Sequence, residues 1–257
     1  MMAEEQKKGN PGRNGQVAKG DFIEVEYTGT LLDGTVFDTT SKKKAQELHL
    51  DHEQSSFKPA KICVGERQVI PGLDQDFMGK EVGKKYSIKI PPELAFGKRD
   101  VKKVKIVPSS TFKEHKVNPQ PGMQVDMDGD VGTVSSVSGG RIIVNFNHPL
   151  AGREVNYEFI ITRAITDPQE QLVSFLNTTL RMPIDQFNVS VKENMAMVEL
   201  PLQLPPQFTS ALGKKLAELT HLKEVQFTFV SGKQDSGHEH HGHDHHHDHG
   251  DHHGHQH

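Results

Sequence analysis

The sequence predicts an α+β protein whose strands and helices are largely segregated along the chain. Three observations carry that prediction. Period-two alternation with tight-turn dipeptides recurs from Asp21 to Ile165, broken by one short helical signal. The stretch from Val101 to Phe146 is dense in Val and Gly and nearly free of helical pattern. Beyond Ile165, two amphipathic helical segments alternate with strand patterns in an α-β-β-α-β order.

The first element is a β-hairpin over Asp21 to Thr40, DFIEVEYTGTLLDGTVFDTT. Ile23, Val25 and Tyr27 alternate with Glu24 and Glu26, giving one dry face and one wet face. Asp33-Gly34 between apolar flanks reads as a two-residue turn, since both positions favour positive φ. The polar stretch SKKKAQELHLDHEQSSFKPA reads as a long loop, with Lys42, Lys43 and Lys44 solvated. Pro71 suits a first helical turn and Gly79 a helix end, so a short helix is expected over Gly72 to Met78. Tyr86 to Ile90 alternates as a strand that Pro91-Pro92 ends. Between Val101 and Phe146, the turn signals Pro121-Gly122, Asp128-Gly129 and Gly139-Gly140 separate short strands, RIIVNF among them. REVNYEFIITRAI, Arg153 to Ile165, is another strand.

Asp167-Pro168-x-Glu170 then opens a helix, with an N-cap, proline at N1 and a reciprocal acid at N3. Leu172, Val173, Phe175, Leu176 and Leu180 share one helical face. Phe187, Val189 and Val191 alternate, as do Ala196, Val198 and Leu200, with Glu193-Asn194 as the turn between them. A second helix follows Pro205-Pro206, with Phe208, Leu212, Leu216 and Leu219 on one side. The strand VQFTFV closes this unit, which is small for a self-sufficient core and is expected to pack against something.

Composition narrows the function classes. Hydrophobic residues make up 33% and charged residues 25%, and no apolar run approaches the roughly 18 residues of a membrane span. The opening MMAEEQKKGNPGRNGQVAKG lacks an apolar core region, so it is expected to be a disordered lead-in rather than a secretory signal. Cytoplasm is the expected compartment. A formal charge of −4 with scattered basic residues argues against a nucleic-acid groove. Cys63 is the single cysteine, which precludes an intrachain disulfide. Its setting, KICVG, reads as a strand with the thiol packed inward rather than as a nucleophile.

VEYTGTLLDGTVFDTT, VGERQVIPGLDQDFMGKEVGKK, IPPELAFGKRD and NHPLAGREVNYEFII, in that order, resemble the FKBP-type peptidyl-prolyl cis-trans isomerases. An insertion beginning near VKIVPSSTF and returning at NHPLAG is similar to the SlyD-like branch. The resemblance implies an antiparallel sheet wrapped around a short helix, with an inserted all-β flap overhanging an active cleft. It divides the chain into a lead (1–20), an isomerase domain (21–100 with 147–165), a flap (101–146), a C-terminal α/β two-layer domain (166–231) and a tail (232–257).

The family's apolar pocket maps onto Tyr27, Phe37, Asp38, Val69, Ile70, Leu73, Phe96, Leu150 and Tyr157. Leu150 follows the insertion, where the alignment shifts. Many members carry Trp where Leu73 stands and Tyr where Phe96 stands; both departures keep the pocket apolar and remove polar anchoring. Taken singly, each of these residues reads as core, and Asp38 reads as a turn former. Their joint order within the family pattern is what makes them a pocket. Such a pocket needs no nucleophile, metal or cofactor. The X–Pro amide resists rotation by about 18–20 kcal/mol, and a dry apolar site disfavours its polar planar form more than its twisted form. The rings and aliphatics would grip proline while Asp38 and Tyr27 orient the peptide.

The resemblance also implies chaperone-like binding of unfolded clients by the flap. Met123, Val125, Met127, Val131 and Val134 fit either a client-binding surface or the flap's own core. Asp126-x-Asp128-Gly129-Asp130 hints at a calcium loop but lacks the later Gly and closing Glu, so a hairpin turn is expected. The C-terminal unit shows no triad, phosphate loop or basic stripe; His221 is lone and reads as structural, and homodimerisation is the expected role.

The chain ends in HEHHGHDHHHDHGDHHGHQH. Its histidines are His238, His240, His241, His243, His245, His246, His247, His249, His252, His253, His255 and His257. The longest run is three, unlike an unbroken purification handle, and tails of this kind are common in the SlyD-like branch. Imidazoles interspersed with Gly, Asp and Glu suit Ni²⁺, Zn²⁺, Cu²⁺ or Co²⁺ with modest selectivity, in competition with protons; a soluble spacer is the plainer alternative. The whole therefore reads as a cytoplasmic isomerase with a chaperone flap and a metal-binding tail, without nucleic-acid or membrane partners. A holdase or nickel/zinc delivery protein with a vestigial pocket is the competing reading.

Overall fold

The structure is a computed structural model describing residues 15–48 and 57–229. It contains three sheets. The first is antiparallel and holds β1 (Phe22–Leu31), β2 (Val36–Thr39), β3 (Ala60–Cys63), β4 (Lys85–Ile90) and β9 (Val155–Ala164). Its order is β2-β1-β9-β4, and β3 extends the edge occupied by β2 by pairing with the N-terminal half of β1. Ile23, Val25, Tyr157, Phe159 and Ile161 face a core that closes on Leu73 and Phe77. Leu73 belongs to the short helix α2 (Pro71–Asp76), where Pro71 opens the first turn as the sequence predicts.

The hairpin at Asp33-Gly34 differs from the two-residue expectation. Leu31 N–H bonds Thr35 O, Gly34 N–H bonds Leu31 O, and only Gly34 has positive φ. This is a three-residue loop, in which Asp33 Oδ1 accepts from Thr35 N–H at 2.9 Å. The stretch expected as a long, partly ordered loop after Thr40 begins with helix α1 (Lys42–Glu47), whose first turn is capped by Ser41.

The second sheet interrupts the first between β4 and β9. It has the order β5-β8-β7-β6, from β5 (Val104–Pro108), β6 (Gln124–Met127), β7 (Asp130–Ser138) and β8 (Arg141–Asn145). Its core is Val107, Phe112, Val134, Ile142 and Val144. Phe112 comes from helix α3 (Ser109–Glu114), which the all-strand expectation for this region missed. The acidic Asp126–Asp130 segment is a hairpin turn with Asp128 and Gly129 both at positive φ, and Asp126 Oδ1 accepts from Gly129 N–H at 3.0 Å. The two crossings into this sheet are clasped together. Asp100 N–H donates to Asn147 Oδ1 and Asn147 Nδ2 donates back to Asp100 O.

The third sheet has the order β10-β11-β12, with β10 (Asn188–Lys192) antiparallel and β12 (Glu224–Phe229) parallel to β11 (Met195–Leu200). Helices α4 (Pro168–Leu180) and α5 (Pro206–Thr220) supply its apolar cover. Glu193 and Asn194, both at positive φ, make the predicted turn. Asp167 caps α4 as expected, accepting from Glu170 N–H, but Glu170 does not close the capping box. Its carboxylate instead takes Arg163 from β9 and Lys61 from β3. Phe208 stands largely exposed rather than joining the α5 core face.

What this third unit packs against is the first sheet. Phe22 and Cys63 turn away from the Leu73 core and are buried with Phe175, Leu176 and Ile165. Phe22 and Phe175 have ring centroids 6.5 Å apart. Cys63 is the inward-packed residue the sequence predicts: its Sγ–H donates to Gly20 O, and burial pushes its pKa up to about 12.

Candidate active site

A hollow of about 300 Å³ opens between β1, β2, β9 and α2, lined by Tyr27, Asp38, Gln68, Val69, Ile70, Leu73, Phe96 and Tyr157. Seven of the nine pocket residues expected from the sequence are on its surface. Several local devices deliver them. Leu73 is buried in the first turn of α2. Val69 and Ile70 lie in the approach to that helix, which Asp74 fixes by accepting from Gly65 N–H and Arg67 N–H. Tyr27 lies on β1 and Tyr157 on the adjacent β9, with rings 5.7 Å apart.

The other two expected residues stand elsewhere. Phe37 does not line the hollow; it packs edge-on against Phe96 at 5.6 Å and Tyr157 at 5.9 Å, and so supports two of the walls. Leu150 is also off the surface, in a turn where its N–H donates to His148 Nδ1. The residue this segment brings to the site is instead His148, whose ring stacks on Phe96 at 4.6 Å with planes 2° apart. His148 and Leu150 lie in one turn, closed by Ala151 N–H donating to His148 O at 2.9 Å.

Three contributors went unread in the sequence. Gly29 is required because a Cβ there would come within 2.8 Å of the Tyr157 ring and 2.9 Å of Phe37. A glycine inside a strand pattern signals close approach, so this one was findable. Gln68 and His148 carry no such local signal.

Electrostatically the hollow is a largely aromatic and aliphatic cup with one carboxylate, Asp38. The Tyr157 hydroxyl donates to Asp38 Oδ2 at 3.2 Å. Burial raises the Asp38 pKa above the ordinary value, an effect the Tyr157 hydrogen bond opposes. Burial, reinforced by Asp38, pushes Tyr27 up to about 12 and Tyr157 higher still, so both remain hydroxyl donors at neutral pH. Among the described residues no group of three or more His, Cys, Asp or Glu is placed to hold a metal. The cup holds no polarised nucleophile. It can strip water from a small apolar ring and its amide and offer hydroxyl and carboxylate edges for orientation.

In the inserted sheet, the five candidates separate. Met123, Val125 and Met127 line an open groove of about 580 Å³ together with Phe112 and Val117. Val134 is fully buried in the core of this sheet, the second of the two readings, and so is no client-binding surface, while Val131 is exposed on the opposite face, where β6 pairing puts it across from Asp126. The histidines from His238 to His257 lie outside the described residues.

A family model described as FKBP-type peptidyl-prolyl cis-trans isomerase matches residues 13–113, and one described as the FKBP26 IF domain matches residues 105–150. The chain is 30% identical over 141 residues to the short-type peptidyl-prolyl cis-trans isomerase of Methanocaldococcus jannaschii, spanning 55% of this chain and 89% of that protein. It is 26% identical over 153 residues to the FKBP-type peptidyl-prolyl cis-trans isomerase SlyD of Haemophilus influenzae, 58% of this chain and 73% of that protein. FK506-binding protein 2 of Yarrowia lipolytica is 38% identical over 112 residues, 44% of this chain and 65% of that protein. The chain belongs to the FKBP-type peptidyl-prolyl cis-trans isomerase family.

Proposed function

We propose that this isomerase acts on X–Pro bonds of unfolded or partly folded polypeptides by desolvation in the Tyr27–Tyr157 cup. The supporting observation is the cup itself: seven expected residues around about 300 Å³ of space, with Asp38 as its one carboxylate. A proline ring seated on Leu73 between Val69, Ile70 and Phe96 brings its amide into a dry environment. The planar amide, which is the more polar form, loses more hydration than the twisted form, and the barrier falls. Asp38, held by Tyr157, and the Tyr27 hydroxyl orient the peptide. Leu73 and Phe96 supply grip without a polar anchor, so turnover rests on shape and dryness.

The test is refolding of a protein limited by proline isomerisation. Wild type accelerates it, and Tyr27→Ala, Phe37→Ala and Asp38→Asn each slow it about tenfold or more, in line with roughly 1.4 kcal/mol per decade. No acceleration by wild type, with aggregation still suppressed, would support a holdase or metal-delivery role with a vestigial cup. The groove of Met123, Val125 and Met127 favours keeping that second reading. Flexible, polarisable Met side chains suit varied apolar clients, and we assign it chaperone binding as an inserted flap.

The further assignments are a cytoplasmic setting, homodimerisation through residues 166–231, and capture of Ni²⁺, Zn²⁺, Cu²⁺ or Co²⁺ by the histidines of residues 238–257. Met195 and Met197, exposed on the third sheet, support the dimer. Light scattering that finds a monomer at micromolar concentration removes it.

A further inference from the structure

The cup takes two of its lining residues, Val69 and Ile70, from the loop that joins β3 to α2. That loop runs along the boundary between the two larger cores. Cys63 is buried in the C-terminal core with Phe175 and Leu176, whereas Val64 and Leu73 are buried in the core of the first sheet. Gly65 and Arg67 both have positive φ, a conformation that costs an arginine free energy unless its neighbours impose it. Asp74 imposes it from the α2 side, accepting from Gly65 N–H at 2.8 Å and from Arg67 N–H at 3.1 Å.

The C-terminal unit holds the other side of the loop. Lys215 of α5 reaches out of that unit and pairs with Glu66, which stands between the two positive-φ residues. Its ammonium also lies 5.9 Å from the centre of the Phe175 ring, so α4 aims the side chain as well as its own helix. The Glu66 side chain is only 15% exposed, against 48% for Lys215. That asymmetry decides what the pair does. Lys215 can return to water, but a carboxylate largely withdrawn from water costs free energy once it is left unpaired. Two further cations lie close by in the chain. Lys19 runs its aliphatic carbons along Gly65, and Arg67 is exposed. Among the described residues, however, Lys215 is the one cation paired with Glu66.

We infer that Lys215 is a positioning residue for isomerisation: by neutralising Glu66 it keeps the β3–α2 loop seated, and with it Val69 and Ile70, three and four residues further on. The inference rests on the cup being the site of isomerisation. Without the ammonium, the easiest relief for the loop is an outward swing of Glu66 into water, which draws Val69 and Ile70 off the proline seat. The C-terminal unit thereby acts on turnover without touching substrate.

The experiment measures kcat/KM of the full chain on an uncharged X–Pro tetrapeptide, with Tm alongside. Lys215→Met keeps the apolar stem beside Phe175 and removes the charge. It is expected to lower kcat/KM about fivefold with little change in Tm, because the loop relaxes locally. Lys215→Arg retains wild-type turnover. Adding Glu66→Gln to Lys215→Met restores most of the loss, since a neutral amide has no charge to carry into water; a residue that only stabilised the fold would give no such rescue. Lys214→Met, one position along the same helix, leaves kcat/KM unchanged, as does Lys61→Met, which breaks the separate tie to Glu170. Should Lys215→Met fail to fold, Lys215→Gln takes its place. Unchanged turnover in the Lys215 variant, a loss that Glu66→Gln does not restore, or an equal loss in either control overturns the inference and leaves the cup reading standing. Failure of wild type to turn over the tetrapeptide overturns the cup reading, and the inference with it.

Discussion

Asp38 shows how much one side chain can reveal about the site. Its carboxylate sits in the cup with burial raising its pKa and the Tyr157 hydroxyl drawing it partly back. A folded-state value above the ordinary 3.8 means the folded chain binds the proton more tightly than the unfolded chain does. Stability therefore falls as pH rises from the ordinary value through the raised folded-state value. Asp38→Asn is expected to raise Tm at pH 7, since Oδ1 of Asn still accepts from Tyr157, while kcat/KM drops about tenfold for loss of a charge-assisted contact. A melt showing the variant destabilised at pH 7 would contradict this. Cys63 gives a second expectation at this scale. With a pKa near 12 and no exposure, the thiol should be silent toward a chromogenic disulfide reagent at pH 8 until denaturant is added. Legibility at this scale followed sequence locality. Seven cup residues were readable because the family pattern carries them in order, whereas Gln68 and His148 matter through partners that no local pattern reveals, Cys63 N–H and the Phe96 ring.

Among the elements, α4 ties the C-terminal unit to the first sheet. Asp167→Ala removes its cap and should cost about 1 kcal/mol in chemical denaturation. Glu170 does more than extend a helix: it joins α4 to β3 through Lys61 and to β9 through Arg163. Hydrogen bonding from Arg163, aided by Lys61, lowers its pKa to about 2, well below the ordinary 4.5. That depressed value contributes stability that is present above pH 4.5 and lost as pH falls toward 2. Glu170→Gln should accordingly flatten the acid limb of a stability-against-pH curve over that window; an unchanged limb would refute the assignment. Long periodic elements such as α4 and β9 were legible. The six-residue helices α1 and α3 were not, because KKKAQE and SSTFKE are too short to display a period. Phe22 was overlooked for a related reason. The alternation of Ile23, Val25 and Tyr27 assigns it to the wet face, and only α4 lying over β1 makes that face dry.

For the molecule as a whole, isomerisation and metal capture are expected to separate cleanly. Deleting residues 238–257 should abolish most Ni²⁺ uptake in calorimetry while leaving catalysed refolding intact, and the uptake of the full chain should collapse below about pH 6 as imidazoles protonate. Loss of isomerase activity on deletion would show that the tail and the cup are coupled. One arrangement in the first sheet has a consequence for biosynthesis. Gly29 on β1 lies opposite Tyr157 on β9, and the entire second sheet intervenes in the chain between them. Non-local closure of this kind is slow and can begin only after the later strand has left the ribosome. A growing chain can therefore complete its inserted sheet while its catalytic cup still lacks a wall, so any assistance it gives to neighbouring nascent proteins before then would have to be passive shelter rather than turnover.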